Sequence, residues 1–146
     1  MRGAHSGMCI DPTTGLVTAM VLQLRLLEIY QQCQATGTLP SGRYTLVVID
    51  IDIDTRGDSQ LDADLLTACV ADIVIGTFRE GETIARAGSR ILVLAANTPA
   101  TQQRAEVLSD RLWLTPATRR AHATVLLDTL PAQPELLESY LHDLVG

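Results

Sequence analysis

The sequence contains no lysine, so all 11 of its basic residues are arginine, set against 17 acidic ones for a formal net charge of −6. That balance argues against nonspecific binding to nucleic-acid phosphates. Aromatic residues are scarce at 3%, so the core must be built from Leu, Val, Ile and Ala. The same scarcity removes the stacking platforms that single-stranded nucleic acid usually requires. Cys9, Cys33 and Cys69 share no metal-type spacing and read as unpaired thiols of a reducing compartment. His5, His122 and His142 are scattered in the same way. No run reaches the roughly 18 apolar residues of a membrane span, and the N-terminus lacks a signal-peptide pattern. The chain is therefore expected to be cytoplasmic, with neither a membrane nor a nucleic acid as partner. P-loop, GxSxG and GxGxxG motifs are also missing, which sets aside the usual hydrolase and dinucleotide readings.

What is present fits one domain. At 146 residues the chain is long enough to bury a core without staples. Residues 1–10 are expected to form a flexible lead-in and residues 11–146 a single domain. Asp11-Pro12-Thr13-Thr14-Gly15 is a turn and helix-start signal, followed by a long apolar helix to about Gln34. The apolar residues of this helix fall on two opposed stripes, one of Leu16, Met20, Leu24 and Leu27 and the other of Leu22, Leu26, Ile29 and Cys33. A helix apolar on both sides is either sandwiched in a core or shared with a partner.

Tyr44 to Ile53 reads as a strand whose run Leu46-Val47-Val48-Ile49 suits a central position. Asp58 to Phe78 reads as a helix with Leu61, Leu65, Leu66, Cys69, Val70 and Ile73 on its apolar side. Glu82 to Ala87 and Arg90 to Ala96 read as a hairpin turned at Gly88-Ser89. Thr98 as N-cap and Pro99 behind it open a helix to about Leu114. A strand at His122 to Leu127 and a helix from Pro134 complete the order. Crossover helices plus one hairpin predict an α/β (α+β) domain, a mixed central sheet of about five strands covered by helices.

Two constellations look chemical. Period-two geometry places Asp50, Asp52 and Asp54 on one face at a strand end, an arrangement that suits Mg²⁺ and nucleotide phosphates or, alternatively, a solvated strand exit. Arg79, Glu80, Glu82 and Arg86 gather near the hairpin, where an arginine fork can grip a phosphate or a guanine edge, or merely pair with surface acids.

The element order and three local matches resemble the GGDEF family of diguanylate cyclases over about Asp11 to Val145. Asp11-Pro12-Thr13-Thr14-Gly15-Leu16 keeps the first half of the family's D-x-L-T-G-L-x-N-R opening, with Thr18 and Ala19 at its Asn and Arg positions. Asp50-Ile51-Asp52 matches the acids of D-x-D-x-F-K, whose first Asp binds catalytic Mg²⁺, but Asp54-Thr55 replaces Phe-Lys. Arg79-Glu80-Gly81-Glu82, five residues, then Gly88-Ser89-Arg90-Ile91-Leu92 parallels R-x-x-D followed by G-G-D-E-F.

The resemblance implies a GGDEF or nucleotidyl-cyclase-like palm. It implies relic metal positions at Asp50 and Asp52, and a relic inhibitory site for cyclic di-GMP at Arg79 and Glu82. Gly88, Ser89, Arg90, Ile91 and Leu92 form a degenerate signature turn. The family's turn Glu coordinates metal and its glycines admit substrate; here Arg90 and Ile91 stand at the two acidic positions. Between Asp54 and Leu65 the chain is also a few residues short, and no Asn or Gly-Asp pair lies where the family recognises guanine.

The expected function is a catalytically inactive regulatory, dimerisation or signalling module of bacterial cyclic-di-GMP-type signalling. No cofactor is expected, with Mg²⁺ entering only alongside a nucleotide. The alternatives are a sensor of cyclic di-GMP or GTP, and a residual Mg-dependent nucleotidyl transferase using Asp50 and Asp52. A homodimer or a partner protein engaging the Leu16–Cys33 helix is the expected mode of association.

Overall fold

The computed structural model describes residues 9–52 and 60–145. A five-stranded sheet is built from β1 (Val17–Thr18), β2 (Tyr44–Asp50), β3 (Thr83–Ala87), β4 (Arg90–Ala96) and β5 (Thr124–Asp128). The spatial order is β1-β3-β4-β2-β5. β1 runs parallel to β3, and every other neighbouring pair is antiparallel, so the sheet is mixed as expected. The helices are α1 (Ala19–Thr36), α2 (Pro40–Arg43), α3 (Gln60–Thr77), α4 (Pro99–Leu114), α5 (Pro116–Arg119) and α6 (Leu137–Val145), the last entered through a 3₁₀ turn at Pro134–Leu136.

Both faces of the sheet are covered, which is why β2 and β4 are apolar almost without alternation. Val47, Ile49, Ile91 and Val93 pack against Val70 and Val74 of α3 and Leu108 and Leu112 of α4. On the other face Leu46, Val48, Leu92 and Leu94 meet Leu22, Leu26 and Ile29 of α1 and Leu137 and Leu141 of α6.

Local chemistry sets the element ends. The Asp11 carboxylate accepts from the Thr14 amide (3.0 Å) and the Thr14 hydroxyl (2.7 Å). Gly15 follows at φ +74°, a conformation that favours glycine. This turn feeds the short strand β1 rather than a helix start, so α1 begins at Ala19. At its far end Gly37 takes φ +68°, and the Thr38 and Gly37 amides reach back to the Cys33 and Gln34 carbonyls. This is a Schellman stop. The Thr98 hydroxyl caps α4 by accepting from the Thr101 amide, and Pro99 follows it as read from the sequence.

Several expectations need correction. Leu16 is buried ahead of β1 in the α3–α4 core, so it is not part of a helical stripe. The stripe of Leu22, Leu26, Ile29 and Cys33 is buried, whereas Met20, Leu24 and Leu27 stay about half exposed. On α3 the buried face is Ala63, Thr67, Val70, Ala71 and Val74, and Leu65 points to solvent. The sheet here is lined by large β-branched residues, and small helical side chains permit the close approach. β2 ends at Asp50 and β5 begins at Thr124, two residues later than expected. Ile53, Asp54 and Asp58 lie outside the described residues, as do Met1 to Met8; Ile10, assigned to the lead-in, forms an antiparallel bridge with Val17.

Candidate functional site

The hairpin β3–β4 organises the candidate residues. Its two-residue turn joins Ala87 to Arg90, with Gly88 at φ +62° in the first turn position, where only glycine is unstrained. Behind the turn the strand pleat sends consecutive residues to opposite faces. Ile91 and Leu92 are both fully buried, Ile91 in the α3–α4 core and Leu92 in the α1–α6 core. Ser89 is exposed, and its carbonyl accepts from the Ile51 amide at 3.0 Å.

Arg90 is committed to structural contacts. In the ladder it lies opposite Asp50, and its Nε is 3.7 Å from the Asp50 carboxylate. Its Nη1 donates to the carbonyls of Leu144 (2.9 Å) and Asp143 (3.3 Å) at the end of α6. A cation on the last carbonyls of a helix is favoured by the helix dipole. Asp52 is exposed, and its amide donates to the Ala121 carbonyl at 3.0 Å. Burial alternates across Asp50, Ile51 and Asp52, so period-two geometry persists past the ladder. Among the described residues, no group of three or more His, Cys, Asp or Glu side chains is placed to hold a metal ion.

Arg86, on β3, is the hub of a second cluster. Its guanidinium donates to Asp11 at 3.1 Å, to Asp64 of α3 at 3.5 Å, and through Nε to the Gly88 carbonyl at 3.1 Å. The opening turn, the hairpin and α3 are thereby tied together. Burial alone would raise the Asp11 carboxyl, but its bonds from Thr14 and Arg86, with the charge of that guanidinium, hold it below the ordinary carboxylate range.

Among the described residues no ion pair or hydrogen bond joins Arg79 to Glu82. Arg79 is exposed, while the Glu82 side chain is only 7% exposed and accepts from Arg104 of α4 at 3.2 Å. Glu82 also accepts the Glu80 amide at 2.7 Å across the tight bend at Gly81. Arg104 binds Glu80 as well, and that hydrogen bond, then its charge, lowers the Glu80 pKa. A cleft of about 310 Å³ opens beside these groups, lined by Arg25, Tyr44, Glu80, Glu82, Thr98 and Arg104 among others. Arg104 had no sequence signal, because its partners lie more than 20 residues away and only the packing of α4 against the hairpin brings them near.

A mixed five-stranded sheet with helices on both faces and a two-residue hairpin turn matches a GGDEF cyclase-like fold. Solved structures sharpen that class. The chain is similar to the FimX GGDEF domain from Pseudomonas aeruginosa, at 21% identity over 94% of this chain and 91% of that one, with a TM-score of 0.68. It is similar to the diguanylate cyclase SiaD from the same organism, solved with its activator SiaC, at 18% identity, TM-score 0.67 and 98% of this chain, and it spans 61% of the SiaD chain. The GGDEF domain of DgcB from Caulobacter crescentus, solved with c-di-GMP, matches at 16% identity over 92% of this chain and 88% of that one, with a TM-score of 0.60. No protein-family model and no curated protein sequence matches the chain. The chain folds as a GGDEF-like domain. No helix among the described residues is long and apolar enough to cross a membrane.

Proposed function

We propose that this domain is a catalytically silent GGDEF-like module that acts by regulatory contacts within cyclic-di-GMP-type signalling in the bacterial cytoplasm. The observation that carries this reading is Arg90, which holds the Asp50 carboxylate at 3.7 Å and is itself anchored to the end of α6. In the family that Asp binds Mg²⁺ and the turn supplies a second carboxylate. Here the cation beside Asp50 repels a divalent ion, and the residue at the family's Glu position, Ile91, is buried in the core. Among the described residues the side chains beside Asp50 do not fit Mg²⁺, which also speaks against a residual nucleotidyl transferase. Incubation of the purified chain with GTP and Mg²⁺ tests the reading. No cyclic di-GMP is expected, and its steady accumulation, lost in Asp50→Ala, would overturn it.

The exposed stripe of Met20, Leu24 and Leu27 on α1 supports contact with a partner protein or a second copy. A second reading, a sensor of cyclic di-GMP or GTP, is favoured by the cleft beside Glu82, whose lining includes Arg25 and the Glu80- and Glu82-paired Arg104. Glu82 is already engaged by Arg104, so a ligand would have to compete for its carboxylate. Calorimetric titration with cyclic di-GMP, GTP and ATP decides between the two readings, since silence for all three rejects the sensor.

A further inference from the structure

Strand β5 closes the sheet on the side opposite β1, and among the described residues it bonds to β2 alone. Its outer edge therefore presents backbone donors and acceptors without partners in the sheet. Natural sheet edges are usually blunted by lysine, proline, a bulge or a covering element. β5, with the sequence Thr124-Val125-Leu126-Leu127-Asp128, carries no lysine or proline, its register on β2 is unbroken by a bulge, and its one charge, Asp128, is engaged by the Tyr140 hydroxyl at 2.9 Å. Leu126 is 63% exposed and Leu127 41% exposed.

A groove of about 390 Å³ runs beside this edge. Its walls include Gln102, Ala105, Glu106 and Ser109 of α4 and Val125 and Leu127 of β5. Glu106 is the only charged residue lining it, and no ion pair or hydrogen bond engages its carboxylate among the described residues. An open strand edge flanked by a helix is the geometry in which an extended peptide adds as a further strand and drops alternate side chains into the groove.

We infer that the β5–α4 groove is a docking site for an extended segment of a partner protein, one that alternates apolar residues and places a cationic side chain against Glu106. A second copy of this chain fits less well. Antiparallel pairing of two β5 strands about Leu126 would line the shared groove with two unneutralised Glu106 carboxylates, between molecules that each carry a net charge of −6. A cationic segment instead neutralises the one acid present. This inference stands apart from the proposed catalytic silence and is independent of its outcome.

The test uses the full chain and an acetylated, amidated decapeptide of alternating threonine and valine with one central lysine. Amide exchange and chemical shifts of Thr124–Asp128 are followed by NMR as the peptide is added. Slowed exchange confined to β5 and shifts at Gln102 to Ser109 are expected. Glu106→Gln, a change at an exposed helical position, should weaken the peptide about two- to fivefold, the range for a single exposed charge pair. A peptide N-methylated at alternate residues should not bind, because it cannot complete the ladder. Unperturbed β5 amides at millimolar peptide would overturn the inference, as would equal binding of the N-methylated peptide. An unchanged affinity in Glu106→Gln would remove the cationic requirement, and concentration-dependent protection of β5 without peptide would show a second copy as the occupant.

Discussion

Writing the family's acid back into the signature turn, Ile91→Glu, should unfold the protein rather than rebuild a metal site. Ile91 is fully buried among Val47, Ile49 and the α3–α4 side chains. Withdrawing its apolar surface forfeits about 2 kcal/mol. The new carboxyl must then stay neutral or strand a charge in the core. Keeping it neutral at pH 7, about 2.7 units above its unfolded value of roughly 4.3, costs about 1.36 kcal/mol per unit, or about 3.7 kcal/mol. The sum of about 6 kcal/mol matches the whole stability of a marginal domain, which is about 5–15 kcal/mol. The sign of the pH dependence follows from linkage. A carboxyl whose pKa is raised on folding destabilises least below its unfolded value, and the penalty grows as pH rises. At pH 5 the same arithmetic gives about 3 kcal/mol in place of about 6. Urea unfolding followed by the fluorescence of Trp113, the only tryptophan, should therefore show a deficit against the parent that widens between pH 5 and pH 7. An equal deficit against the parent at both pH values would refute the reasoning, because it would require the side chain at position 91 to face solvent.

Three further outcomes follow from the same contacts. Arg90→Ala removes the bonds to the Leu144 and Asp143 carbonyls and should cost about 1 kcal/mol, seen as faster amide exchange confined to α6. Asp11 is held below its ordinary pKa, so its contribution is present above the unfolded value near 3.8 and is lost as pH falls through the folded one. Arg86→Met should flatten that acid-limb dependence in pH-resolved denaturation while loosening the Asp11–Gly15 turn. Burial, with a smaller contribution from Cys33, pushes Tyr30 up to about 12, and its hydroxyl donates to the Pro131 carbonyl at 2.6 Å. Its contribution is complete below an unfolded pKa of about 10 and is lost as pH rises through about 12, so Tyr30→Phe should reduce stability at pH 8 by about 1 kcal/mol and shrink the alkaline loss.

Much of the fold was legible because it rests on local signals. The Gly88-Ser89 turn, the Thr98-Pro99 helix start and the apolar run at Leu46 to Ile49 each encode their structure within a few residues. The candidate site was legible only as a set of residues. Asp50 and Arg90 could be marked, yet their pairing depends on the register of β2 against β4. Arg79 and Glu82 could be marked too, yet the contact of Glu82 with Arg104 depends on the packing of α4 against the hairpin. The buried face of α3 was misplaced because periodicity ranks large apolar residues first, whereas a sheet of branched side chains accepts alanine and threonine more closely.

The sequence by itself determined the order of the long helices and of strands β2 to β5, and the missing turn acids, since each follows from side-chain type and spacing along the chain; the one parallel pairing, β1 on β3, came from the tertiary structure. Tertiary structure alone decided which charges meet. Arg86 joins Asp11 and Asp64, Arg104 joins Glu80 and Glu82, and Arg90 joins Asp50 to the end of α6. These partners lie 22 to 75 residues apart, and a Coulomb contact depends on distance in space, to which spacing along the chain is blind.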